Sequence, residues 1–155
     1  MMAGIFLFVT CALGGTSNIQ QAVQNISNNL SEANDLPNST IVIHKDKKPN
    51  ILYSTDESNR DILVTHGMIY LVDNQDQLAF ELASMYAIRN DKSCHLDKTD
   101  KDLCLDVKAL EYMMHAGYNL LEGINMLGKL IDITDNDPNM IKRYLFLQAY
   151  IQEIK

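Results

Sequence analysis

The chain predicts an α+β fold: an N-terminal helix, a small and mostly antiparallel sheet, then a helical bundle. Three observations carry this. Apolar residues recur at helical spacing over residues 16–33, short β-branched runs punctuate residues 40–65, and the pattern is helical from residue 67 onward. At 155 residues, with 46% hydrophobic and 21% charged, the chain is large enough for one domain with its own core. That domain is expected over residues 16–155.

Residues 1–15, MMAGIFLFVTCALGG, form a short apolar run ending in small residues, which reads as the apolar region of a secretory signal. Export to a periplasmic or extracellular space follows as an expectation. A lipid anchor on Cys11 is the less favoured reading, because Thr10 suits that signal poorly. A buried N-terminal strand or helix is the plain alternative.

Along residues 16–33, Ile19, Val23, Ile26 and Leu30 make one apolar stripe, and Asn, Gln and Ser fill the other face. The chain then breaks at Asn34, Asp35 and Pro37. Residues 40–43, 51–53 and 61–65 read as three strands, with a charged turn and then a polar hairpin turn between them. Residues 67–72 suit a short helix. Residues 73–76 supply a capping turn, and residues 77–89 are apolar on most sides, which predicts a central buried helix. Residues 94–104 read as a loop, because SCHLDKTDKDLC has almost no apolar residues. Residues 105–115 form a helix that ends at Ala116-Gly117, Gly being suited to a left-handed cap. Asn119 caps the next helix, and Pro138 suits the first turn of the last.

The net charge of −7 argues against nonspecific binding to nucleic acid or to anionic membranes, both of which reward Lys and Arg. No apolar stretch reaches the roughly 18 residues of a membrane-spanning helix. Cys94 and Cys104 bracket the polar segment. A disulfide is the favoured reading, ahead of two free thiols and of a metal clip that adds His95.

Two segments carry a resemblance. The first is ILVTHGMIYLVDNQDQLAFELASMYAI, residues 62–88, and the second is DLCLDVKALEYMMHAGYN, residues 102–119. Val64-Thr65-His66-Gly67, then Asn74, Asp76, Leu78 and Ala79, then Leu82-Ala83, follow in order. Asp106 and Ala116-Gly117-Tyr118 come after them, with Asp137-Pro138 near the end. Together they resemble the zinc metallopeptidases of the CAAX prenyl endopeptidase and heat-shock protease (HtpX-type) family. The resemblance implies a zincin-like fold. It also implies a helix bearing two His one turn apart, a Glu base beside the first, and a later Glu as third ligand.

At those positions this chain carries Ser84 and Ile88 for the two His, Met85 for the base, and Asp102 for the third ligand; Asp106 keeps its place. A hydrocarbon binds no metal, and a thioether takes no proton from water. The expectation is therefore a non-catalytic metallopeptidase-like protein, a pseudoenzyme with no cofactor. Its partner would be a protein or an extended peptide, held by strand addition or in an assembly or oligomer. Residues 40–43 and 62–65 are the candidate sheet edges. The alternative is an active zinc metalloendopeptidase, with zinc as its cofactor.

Other chemistry is sparse. His44, His66, His95 and His115 fall on separate elements. Glu111 and His115 stand one turn apart, a spacing usual for surface contacts. Ser84 as a nucleophile would need His66 as its base. Met85, Met113, Met114 and Met126 read as core filler rather than a copper site.

Overall fold

The computed structural model describes residues 16–56, 58–94 and 98–154. The signal-like segment, Cys11 and His95 lie outside them. The order is α1 (Thr16–Ala33), β1 (Thr40–His44), β2 (Ile51–Tyr53), β3 (Asp61–Thr65), α2 (His66–Leu71), α3 (Gln75–Asn90), α4 (Lys98–His115), α5 (Leu120–Ile133) and α6 (Pro138–Glu153). The architecture is α+β, as the patterning predicts.

The sheet departs from expectation. Its strand order is β1-β3-β2, with β1 parallel to β3 and β2 antiparallel to it. It is therefore mixed rather than mostly antiparallel, and its longer pairing is the parallel one. The cause is the connection over residues 45–50, which crosses the end of β3 instead of turning back beside β1. Thr65 holds that crossing. Its hydroxyl donates to the Lys48 carbonyl at 2.8 Å and accepts from the Asn50 N–H at 2.9 Å. It also caps α2 by accepting from the Met68 N–H at 3.2 Å. Gly67 donates its N–H to the Asp46 carbonyl, and any Cβ at this position would strike the Lys47 and Lys48 backbone. The Val-Thr-x-Gly segment thus fixes the topology.

One sheet face packs on two helices. Ile41, Ile51, Ile62 and Val64 alternate inward against Val23, Ile26 and Leu30 of α1 and against α3. α3 is the central buried helix, with Leu78, Phe80, Leu82 and Tyr86 almost wholly enclosed. It begins at Gln75, two residues before the apolar run, because the Asn74 side chain caps it by accepting from the Gln77 N–H. Buried Ser27 and Tyr86 share a 2.8 Å hydrogen bond that ties α1 to α3.

α4 starts inside the segment expected as a loop. Its sequence is mostly polar there, Lys101 is exposed, and Asp102, Leu103 and Cys104 are half-buried. A polar run there does not mean absence of structure. Cys94 and Cys104 are joined by a disulfide, with Cα atoms 5.8 Å apart. It clamps the turn between α3 and α4. On α5, Asn119 caps as expected, but Leu121 faces solvent rather than the core. Asp137 caps α6, and Pro138 occupies its first turn.

The disulfide closes a short loop, so the chain-entropy estimate for its contribution is about 2–3 kcal/mol. Urea unfolding of Cys94→Ala/Cys104→Ala is expected to show a loss of that size. Unchanged stability would mean that α3 and α4 hold their turn without the bond.

Candidate functional site

The C-terminal half of α3 carries the positions singled out by sequence. Ser84 and Ile88 lie one turn apart on the same face. The Ser84 hydroxyl donates to its own helix, to the Phe80 carbonyl at 2.9 Å. Met85 is half-buried against the core, and Ile88 is 39% exposed. The Ser84 proton does not go to His66, whose Nε2 is buried without a hydrogen-bond partner. A Ser84–His66 nucleophilic pair is therefore not assembled.

Asp102 and Asp106 lie one turn apart on α4, and α6 meets both. Asp106 is 2% exposed and accepts two hydrogen bonds from Arg143, from Nε at 2.7 Å and from Nη2 at 2.6 Å. This is the bidentate fork that a planar guanidinium makes with a carboxylate. One turn earlier on α6, Asn139 donates to Asp102 at 3.3 Å. The two rungs run in the same sense along both helices, so α4 and α6 lie side by side and parallel.

Glu81 completes the cluster from α3. It is 7% exposed, and burial pushes its carboxyl up to about 7. Arg143 opposes that rise, and the Asp106 carboxylate adds to it. Burial also raises Asp106, against the pull of Arg143. Arg143 thus faces carboxyl groups from two helices, and its own pKa is raised by Asp106, Asp102 and Glu81 against the desolvation that lowers it.

These residues do not fit a zinc ion. The Ser84 hydroxyl donates its hydrogen bond to the backbone, Ile88 has no donor atom, and Asp102 and Asp106 are engaged by α6. Among the described residues, no group of three or more His, Cys, Asp or Glu is placed to hold a metal. His44 ends β1, His66 starts α2, and His115 shares a hydrogen bond with Asn34. Glu111 pairs with Lys108 at 2.8 Å rather than with His115. Met113 and Met126 are core residues, whereas Met114 is exposed.

The sheet edges also differ from expectation. β3 is central, so residues 62–65 are no edge. β1 is an edge, but the Gln24 amide occupies its start. Gln24 Oε1 accepts from the Ile41 N–H at 2.8 Å, and Nε2 donates to the Ser39 carbonyl at 2.8 Å. These are the bonds an added strand would make. The other edge, β2, is the one that packs beside α3. The Asn50 carbonyl and the Ser54 N–H both bond to β3, so by alternation the backbone groups of Ile51 and Tyr53 face outward. Arg89, next to Ile88, donates to the Asn59 carbonyl at 2.7 Å and ties the end of α3 to the β2–β3 loop.

No known protein-family model, curated protein or solved structure matches the chain.

Sequence reading missed Glu81, Asn139 and Arg143. The available signal was Glu81 itself, a carboxyl set in the apolar run LAFELAS and so in need of a partner.

Replacing Arg143 with Met removes the partner of a buried carboxylate. The expected loss is about 3–5 kcal/mol by denaturant unfolding, and a loss under about 1 kcal/mol, the surface-pair range, would contradict the burial argument. Glu81 gives a pH signature. Its folded pKa of about 7 lies above the ordinary 4.5, so the folded state holds the extra proton between those values. Stability contributed by Glu81 therefore falls as pH rises through that window. Glu81→Gln is expected to flatten this fall; an unchanged pH profile would show that Glu81 titrates normally.

Proposed function

We propose that this chain is a non-catalytic relative of the CAAX prenyl endopeptidase and heat-shock protease zinc metallopeptidases, acting as a binding or scaffold module for an extended peptide or protein. One observation carries the reading. The face of α3 where that family would place its metal and base offers a hydroxyl bonded to its own helix, a thioether and a hydrocarbon. None of these binds zinc strongly or activates water.

The sheet supports the choice of partner class. β2 leaves the outward backbone of Ile51 and Tyr53 unpaired by any described strand, beside α3. A peptide added there would bond through its main chain, and loss of zinc would not remove that edge. The free edge has only three residues, so added-strand affinity would rest on few hydrogen bonds and on side-chain contacts beyond them. The signal-like residues 1–15 and the Cys94–Cys104 disulfide support export to an oxidising compartment. Among the described residues, no helix is long and apolar enough to cross a membrane.

Metal analysis of the purified chain is expected to find no stoichiometric zinc. Unfolded casein should survive incubation with it, with or without added zinc. One zinc per chain together with chelator-sensitive cleavage would establish the active metalloendopeptidase instead.

A further inference from the structure

A cleft of about 410 Å³ opens between α1, the start of α3 and the α4–α5 turn, away from the face that carries Ser84 and Ile88. Its polar lining is Asn18, Gln21, Asn25, Asn29, Gln75 and Tyr118, and among the described residues no charged side chain lines it. Ala22 and Ile26 supply an apolar patch. The size falls within the range of small-ligand sites, about 300–1,000 Å³.

The lining is not what an ordinary solvated helix face requires. α1 carries a single charged residue, Glu32, although charged residues make up 21% of the chain. Asn is also a poorer helix former than Lys, Glu or Arg. Part of the amide content has a structural task. Gln24 and Asn28 hold the β1 edge, and Asn29 donates to the Ala116 carbonyl and to the Tyr118 hydroxyl, each at 3.2 Å. The rest has none. Asn18 and Gln75 make no side-chain hydrogen bond with the described residues. Gln21 donates to Asn25 at 2.9 Å, which leaves the Gln21 oxygen and the Asn25 NH₂ open. Tyr118 accepts from Asn29, so its own proton remains to be given. Burial raises the Tyr118 pKa, which keeps that proton in place at neutral pH.

The structure assigns this cleft to a short neutral oligosaccharide. Adjacent open acceptors and donors match neighbouring sugar hydroxyls, each of which both donates and accepts. The Ala22 and Ile26 patch, together with the Tyr118 ring, matches the C–H face of a pyranose. An anion would find no cationic side chain among the described lining residues, and Asp76 beside Tyr118 would repel it. A peptide is disfavoured, because the site offers side-chain amides and no free strand edge.

The test uses the full-length chain and follows its side-chain NH₂ resonances by NMR. Maltotriose, cellotriose and chitotriose are the neutral probes, trialanine the peptide control and trigalacturonate the anionic one. At least one neutral trisaccharide is expected to shift Asn18, Gln21, Asn25 and Gln75 saturably, while trialanine and trigalacturonate do not. Gln21→Ala/Asn25→Ala should raise the dissociation constant about tenfold or more. These sites are on the surface of α1, and the backbone spectrum of the variant reports directly that it remains folded. Ala22→Arg, which fills the cleft without removing an amide, should abolish the shifts. Three outcomes overturn the assignment: no saturable shift with any of the three neutral sugars, tighter binding of trialanine or trigalacturonate, or affinity unchanged in both variants. None of these depends on zinc content or on the β2 edge.

Discussion

The ion pair between Asp106 and Arg143 is the constraint around which the helical half is arranged. It joins α4 to α6 at a buried point, and Glu81 of α3 feels both of its charges. A buried carboxylate is tolerable only with such a partner, so the pair admits little sliding between these helices. α5 packs against both α3 and α6, with Gly123 close enough to Phe80 that an added Cβ would crowd the ring. Two residues before Asp106 on α4, the Cys94–Cys104 bond clamps the turn that leads from α3 into α4. The covalent point holds α4 to the end of α3, and the electrostatic one holds α4 to α6.

Most helices were legible because each buries a stripe, and a stripe is a local pattern. α1 has the bounds that its periodicity gives, Asn119 caps α5 as read, and Pro138 occupies the first turn of α6. The parallel β1–β3 pairing was not legible, since it depends on residues 45–50 crossing the end of β3. Thr65 and Gly67 decide that crossing, and their partners are backbone atoms 15 or more positions away. The start of α4 was hidden for the opposite reason: a polar helix end and a loop have the same composition.

At the candidate site, the sequence exposed the positions but not their surroundings. Ser84, Met85 and Ile88 could be read as unsuited to zinc from side-chain chemistry alone. That Asp106 would be claimed by Arg143, 37 positions later, could not, because nothing local distinguishes Arg143 from a surface residue on an amphipathic helix. The consequence is physical. The acidic groups Asp106 and Glu81 face a guanidinium from α6. The Gln24 amide, bound to β1 as a strand would be, explains why β1 is the less available edge.

The central claim of the proposed reading is one of register: Ser84 and Ile88 share a face, toward which α4 would bring residue 102. Zinc affinity of the variant Ser84→His/Met85→Glu/Ile88→His/Asp102→Glu, measured by competition with a chromophoric chelator, tests that most directly. The account expects this variant to bind one zinc through two imidazoles and a carboxylate, with water in the fourth place. A control that places the second His at position 87 instead, turned about 100° around the helix, should bind far more weakly. A folded quadruple variant that binds zinc no better than this control would contradict the register, and with it the reading of α3 as a former metal-site helix.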